Sequence, residues 1–175
     1  MLLLNSISKL GVLCAYGLLA TSAVWAADVK VEGVHLCCGK CVKGATQALM
    51  NVDGVSGVNV SQDDETVAFQ AADEAATTRG LQALADAGFY GETSAPSPDF
   101  KIDPAKTGRA IHISHLHLCC GGCVKTAESA VKSVSGVQSV STQSKQGTMT
   151  IKGDKINYAA LLKALHEAGM HGTLK

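Results

Sequence analysis

Residues 35–43 read His-Leu-Cys-Cys-Gly-Lys-Cys-Val-Lys, and residues 117–125 read His-Leu-Cys-Cys-Gly-Gly-Cys-Val-Lys. The two stretches lie 82 positions apart and differ only at Lys40, where the second copy has Gly122. The same displacement aligns further pairs, namely Val55 with Val137, Val58 with Val140 and Thr66 with Thr148. A repeat of this extent covers folded units and not only a motif, so the sequence predicts two small domains of about 65 residues each.

Residues 1–26 have the layout of a secretion signal. Lys9 precedes the apolar run 10–20, and small residues lead up to Ala26. The run is short for a membrane span, so we expect cleavage after Ala26 and the loss of Cys14 with the signal. The mature protein is therefore predicted to be periplasmic or secreted, with no membrane attachment.

A linker is predicted over residues 94–108, between a first domain at 27–93 and a second at 109–175. All three prolines of the chain lie in this linker, together with Ser, Asp and Lys. Proline fits neither a helix interior nor a central strand. The segment is therefore expected to be semi-extended and to keep the two domains apart without fixing their orientation.

Apolar periodicity predicts the order strand, helix, strand, strand, helix, strand in both copies. In the first copy the strands are predicted at 29–33, 55–60, 66–70 and 89–93, and the helices at 41–51 and 75–87. In the second copy the strands are predicted at 110–116, 137–143, 148–152 and 170–174, and the helices at 123–134 and 158–168. This order predicts an α+β fold made of two ferredoxin-like domains, each a four-stranded antiparallel sheet with both helices on one face.

The cysteine loops point to metal chemistry. Cys38 and Cys41 stand where the first strand gives way to the first helix, and Cys120 and Cys123 repeat the arrangement. Backbone N–H groups at a helix start stabilise thiolates. Thiolates held close together prefer soft or borderline ions such as Cu(I), Zn(II), Cd(II) or Hg(II).

The chain resembles the heavy-metal-associated (HMA) domain family, which includes copper chaperones and the N-terminal modules of metal-transporting P-type ATPases. The family motif, Gly-Met-x-Cys-x-x-Cys, places its two ligand cysteines at Cys38 and Cys41 and at Cys120 and Cys123. The ending 87–89, Ala-Gly-Phe, is also similar to the family's. The resemblance implies one soft ion per domain, with Cu(I) favoured and Zn(II) or Hg(II) as alternatives, passed by ligand exchange to a metal-transporting or metal-receiving protein.

An additional cysteine departs from that motif. Cys37 and Cys119 precede the first ligand of each loop and are candidate third ligands, and His35 or His117 would complete a Cys3His set suited to zinc. The alternative is that Cys37 points away from Cys38, because side chains alternate faces along a strand. The remaining histidines are expected to be solvated and not ligands; they are His112, His115, His166 and His171.

Other functions are weighed against metal binding. A Cys-x-x-Cys pair at a helix start is also a redox motif, so thiol-disulfide oxidoreductase activity is the alternative function. Structural disulfides are disfavoured because the cysteines cluster within five residues in each loop. Lys+Arg and Asp+Glu each number 15 and aromatics make up 4%, which excludes a basic or stacking surface for nucleic acid. The sequence thus predicts metal trafficking, scavenging or sensing by a protein that is not an enzyme.

Overall fold

The structure is a computed structural model that describes residues 27–175. The predicted signal peptide and Cys14 lie outside these residues, so cleavage and export stay predictions. Across residues 27–175, none of the helices combines the length and the apolar character that crossing a membrane requires.

The first unit has three strands and two helices within the described residues. Its elements are β1 (Ala27–Glu32), α1 (Gly39–Met50), β2 (Val55–Ser61), β3 (Thr66–Ala71) and α2 (Glu74–Asp86). The antiparallel sheet has the order β1-β3-β2. The predicted helices and the first three predicted strands are confirmed to within two residues at each end.

The core of the first unit lies between the sheet and its helices. Side chains alternate along β1 and β3, so Val31 and Phe69, both 2% exposed, lie on the covered face. Ala45 and Leu49 are one helical turn apart on α1 and are completely buried. These buried residues anchor α1 on the sheet, and the anchored helix holds the cysteine loop at its start in place.

The strand predicted at 89–93 is wrong as a sheet strand. Glu32 and Glu92 exchange two backbone hydrogen bonds of 2.8 Å, but this pairing is an isolated bridge. Phe89 instead forms an antiparallel bridge with Met170 of the second unit. The segment is drawn towards the other unit, so the first sheet has three strands and not the predicted four.

The second unit repeats the order and adds a short last strand. Its elements are β4 (Thr107–Ser114), α3 (Gly121–Lys132), β5 (Val137–Gln143), β6 (Thr148–Asn157), α4 (Tyr158–Glu167) and β7 (Thr173–Leu174). The antiparallel sheet has the order β5-β6-β4-β7. The last strand has two residues where five were predicted. Two antiparallel sheets with four helices form an α+β structure consistent with the ferredoxin-like prediction.

The two units contact each other, and the prediction that the linker keeps them apart is wrong. The backbone N–H of Tyr90 donates to the carbonyl of Gly169 at 3.2 Å, and that of His171, the equivalent residue of the second unit, donates to the carbonyl of Gly88 at 3.0 Å. Gly88 and Gly169 occupy the same place in the two copies, just after the second helix of each unit. The contact therefore has approximate two-fold symmetry, with each unit accepting a hydrogen bond from the other.

The linker is also held in place. Phe100 lies against the ring of His171, with 4.3 Å between the ring centroids, and 5.2 Å from that of His166. An aromatic side chain in a proline-containing segment supplies the apolar anchor that composition alone did not indicate.

Candidate metal centre

Each cysteine loop is positioned by the start of a helix. Cys38 is the N-cap of α1 and Cys120 is the N-cap of α3, both with extended backbone at φ −162° and −153°. Cys41 and Cys123 follow in the first helical turn and are completely buried. In each loop two helical residues separate the N-cap cysteine from the buried one. The two sulfurs are 3.9 Å apart in the first loop and 3.8 Å apart in the second. The local sequence thus predisposes each pair to hold one ion.

The docking of the units brings the two loops face to face. The six cysteines at 37, 38, 41, 119, 120 and 123 carry free thiols that form one cluster. Five Sγ–Sγ contacts cross between the loops: Cys37–Cys120 at 3.3 Å, Cys37–Cys123 at 3.4 Å, Cys41–Cys119 at 3.5 Å, Cys38–Cys119 at 3.6 Å and Cys41–Cys123 at 3.8 Å. The sequence predicted two separate sites, whereas the structure forms one thiol cluster at the contact between units.

The spacing of these sulfurs fits a metal ion. An ion held tetrahedrally by thiolates at about 2.3 Å separates the sulfurs by about 3.8 Å. All nine close Sγ–Sγ contacts of the cluster lie between 3.3 and 3.9 Å. The sulfurs of the cluster are therefore spaced as thiolates that share an ion would be.

The thiols differ in acidity according to their surroundings. The backbone N–H of Cys41, followed by that of Lys40, lowers the pKa of Cys38. The N–H of Cys123 and the neighbouring Cys37 thiol lower the pKa of Cys120 to about 6. The N-cap cysteines are accordingly the ready thiolates of the cluster.

The other thiols stay protonated more readily. Burial, followed by contact with the thiol of Cys120, raises the pKa of Cys37 to about 12. The pKa of Cys119 is raised to about 12, first by burial and then by the thiols of Cys41 and Cys38. Burial is also the main cause that raises the pKa of Cys123. A cation placed among these sulfurs would reverse that effect by stabilising the thiolates.

His35 and His117 lie next to the cluster. A ring nitrogen of His35 lies within 4.8 Å of the sulfurs of Cys37 and Cys123. A ring nitrogen of His117 lies equally close to Cys119 and Cys41. The Nε2 atoms of both rings are buried and lack a hydrogen-bond partner among residues 27–175. Burial lowers the pKa of both imidazoles, which favours the neutral form that binds metals.

The place of His117 depends on a glycine of the other unit. A Cβ at Gly44, inside α1, would lie 2.9 Å from Cε1 of His117 and 3.2 Å from the ring of Phe89. The rings of His117 and Phe89 contact each other at a tilt of 34°, with centroids 4.5 Å apart. A glycine inside a helix carries a stability penalty, and here it makes room for a ring from the opposite unit. Gly44 was the one signal in the sequence that a neighbour approaches this helix.

All eight residues named as metal ligands from the sequence meet at this centre. The cysteine pairs occupy the helix starts, and Cys37 and Cys119 lie towards the opposite loop. The sequence left open whether the side chain of Cys37 points away from Cys38. In the structure this side chain points to the opposite loop, where its nearest sulfurs are those of Cys120 and Cys123. Sequence reasoning did not find this crossing, because spacing within one loop carries no information on the other loop.

The expectation that His166 and His171 are solvated is wrong. Nε2 of His166 and Nδ1 of His171 are 2.9 Å apart, and His171 is 5% exposed. Tyr90 stacks on His166 with 3.6 Å between centroids. Burial lowers the pKa of His166 to about 3 and that of His171 to about 4. This pair belongs to the contact between units and not to the thiol cluster.

Comparison with known proteins agrees with the chemistry of the loops. Residues 117–171 match the sequence model of the heavy-metal-associated domain, a match that includes the second cysteine loop and supports heavy-metal binding by this segment. For residues 27–93 the resemblance rests on the repeated loop and stays a prediction. A search of curated proteins finds no match to the chain.

Among solved structures, the chain matches that of the N-terminal soluble domains of Bacillus subtilis CopA in solution. The two chains are 16% identical, and the match covers 87% of this chain and 95% of the CopA chain, with a TM-score of 0.32.

Proposed function

We propose that this protein binds soft heavy-metal ions at a single thiol-rich centre, to which both cysteine loops contribute. The ligands in this proposal are Cys38, Cys41, Cys120 and Cys123, with Cys37 and Cys119 as further thiolates. About two ions would be bound per chain, one for each cysteine loop. The protein would act outside the cytoplasm in trafficking, scavenging or sensing a metal, and would exchange it with a metal-transporting or metal-receiving protein.

The observation that carries the proposal is the set of sulfur distances across the contact between units. Disulfide bonds are absent among the six thiols of the described chain, and yet each sulfur has at least two others within 4 Å. Bringing many polar thiols together in a partly buried place has no evident packing advantage. A soft cation among the sulfurs gives the arrangement its chemical reason.

Cu(I), Zn(II) and Hg(II) are the candidate ions, with Cu(I) favoured by the family resemblance. Thiolate ligands select these ions over Mg(II) and Ca(II), which prefer oxygen. The cluster also excludes oxygen donors, since Asp and Glu are not among its described ligand groups. Preference within the soft ions then depends on coordination number.

The test is an anaerobic titration of the reduced protein with Cu(I), Zn(II) and Hg(II), followed by competition with chelators of graded affinity. We expect about two equivalents of at least one ion to bind tightly. A variant with Ser at positions 38, 41, 120 and 123 should lose that binding, and a matched variant with Ser at four exposed alanines should keep it. Unchanged affinity in the cysteine variant would sink the proposal.

A second candidate function is thiol-disulfide exchange, which is favoured by the lowered pKa of Cys120 at about 6. An assay of disulfide reduction on protein stripped of metal separates the two functions. Turnover that survives complete metal removal, together with no tight metal binding, would favour the oxidoreductase.

A further inference from the structure

We infer that the centre holds two ions in crossed four-ligand positions, each formed by the histidine and first cysteine of one loop and the Cys-x-x-Cys pair of the other. The first crossed position has the ligands His35, Cys37, Cys120 and Cys123. The second crossed position has the ligands His117, Cys119, Cys38 and Cys41. This inference rests on the proposed function and specifies which ligands surround each ion.

The sulfur distances group the ligands in this way. In the first crossed position, Cys37 lies 3.3 Å from Cys120 and 3.4 Å from Cys123, whereas it is 3.7 Å from Cys41 of its own loop. With the 3.8 Å separation of Cys120 and Cys123, the three sulfurs form a closed triangle.

The second triangle repeats the first. Cys119 lies 3.6 Å from Cys38 and 3.5 Å from Cys41, and these two are 3.9 Å apart. Cys119 is 3.7 Å from Cys123 of its own loop, which is again the longer separation. The correspondence of the two triangles follows the symmetry of the contact between units, so the crossing is a property of the whole interface.

Each histidine also lies near cysteines of both loops. The ring of His35 approaches Cys37 together with Cys123, and the ring of His117 approaches Cys119 together with Cys41. Both rings have a buried Nε2 without a partner in the described chain. A buried polar nitrogen that lacks a hydrogen bond is costly, and a metal ion would satisfy it. These nitrogens are independent of the sulfur distances and point to the same grouping.

Three thiolates and one neutral imidazole form a set typical of tetrahedral Zn(II). The last cysteine of each set, Cys123 or Cys41, is fully buried, so water is excluded from one side of the ion. Thiol protons would be released to solvent as the ion binds. In the crossed arrangement each set takes ligands from both loops, so each ion would also tie the two units together.

A pair of matched double variants separates crossed positions from independent loops. C37S/C123S removes two ligands of the first crossed position and leaves the second complete. C37S/C41S removes one ligand from each crossed position. Both variants change Cys37 and one completely buried cysteine, so their effects on folding are matched. Circular dichroism and unfolding by denaturant would verify that both remain folded.

The readout is the number of Zn(II) ions that bind tightly to reduced protein, by titration against a chromophoric chelator. Crossed positions predict about two ions for the unchanged protein, about one for C37S/C123S, and none of the original affinity for C37S/C41S. Independent loops predict the reverse: C37S/C41S damages only the first loop and should bind about one ion, whereas C37S/C123S damages both loops and should bind none with the original affinity. That reverse pattern, or equal loss in both variants, would overturn the inference and leave the proposed function standing. No tight Zn(II) binding to the unchanged protein would overturn the inference, and the proposed function would fall with it only if Cu(I) and Hg(II) also fail to bind.

X-ray absorption at the zinc edge gives a second measurement that does not depend on variants. Crossed positions predict an average of three sulfur neighbours and one nitrogen neighbour per zinc. In H35Q/H117Q the nitrogen contribution of imidazole should disappear, while the sulfur count stays at three. Four sulfur neighbours in the unchanged protein, or an imidazole signal that persists in the double variant, would contradict the assignment of the histidines.

Discussion

Replacing Gly169 by Ala should undock the two units. Gly169 has φ +72°, and a Cβ there would lie 2.4 Å from both the carbonyl oxygen of Gly33 and the backbone nitrogen of His35. Its own carbonyl accepts hydrogen bonds from His35 at 3.1 Å and Tyr90 at 3.2 Å. The left-handed backbone costs alanine about 1 kcal/mol. Losing both hydrogen bonds adds about 1 kcal/mol each, so we expect a total of about 3 kcal/mol.

Gly33→Ala is the matched control. Gly33 has nearly the same backbone angle, φ +70°, but a Cβ there would meet no atom within 4 Å. Its substitution should therefore show only the backbone strain of about 1 kcal/mol. The difference between the two variants isolates the contact between units from the conformational preference of glycine.

The assay is unfolding by denaturant of reduced, metal-free protein, combined with small-angle X-ray scattering. We expect Gly169→Ala to unfold at lower denaturant and to have a larger radius of gyration, because the units separate while each stays folded. Tight Zn(II) binding should weaken in the same variant. Equal destabilisation by the two alanines with an unchanged radius of gyration would refute the reasoning.

Three further predictions concern the core and the aromatic contact. Leu49→Ala should destabilise the first unit by about 2–5 kcal/mol, because Leu49 is completely buried. Met50→Ala is the control: this side chain is 69% exposed, so the free energy of unfolding, measured by thermal unfolding, should change by no more than about 0.5 kcal/mol. His166 and His171 have pKa values of about 3 and 4 in the folded protein, below the unfolded value of 6.5, so their stabilising contribution is complete above pH 6.5 and lost as the pH falls towards 4. The free energy of unfolding should fall by up to about 1.4 kcal/mol per pH unit for each ring between pH 6.5 and 5, and a flat profile, or one that H166Q/H171Q leaves unchanged, would contradict this. Phe100→Ala should expose the His171 ring and raise its pKa, which NMR titration of the ring protons would detect as a midpoint closer to 6.5.

The helices and most strands could be predicted because their determinants are local. Apolar side chains such as Ala45 and Leu49 recur at helical spacing, and Val29 and Val31 alternate at strand spacing. The strand at 89–93 was overpredicted for an equally physical reason. It begins with the aromatic residues Phe89 and Tyr90, but Phe89 pairs with Met170 of the other unit and does not extend the first sheet.

The residues that the structure brings together at the candidate centre could be named from the sequence, but their contacts across the two loops could not. A cysteine pair at a helix start indicates thiolate chemistry whatever surrounds it. Which sulfurs share an ion depends on the docking of two units that are separated by a linker. Composition gives the flexibility of such a linker and not the face on which its single phenylalanine lies.

The extra cysteine gains its meaning from the second copy. In one isolated loop, Cys37 has only its own cysteine pair and His35 as neighbouring ligand groups. In the docked chain its nearest sulfurs are those of Cys120 and Cys123. Joining both copies in one chain raises the effective concentration of each loop for the other to about the millimolar range, so the crossed contacts need no dimer. In the crossed arrangement that we infer, the duplication and the added cysteine belong together, because each ion takes its ligands from both copies.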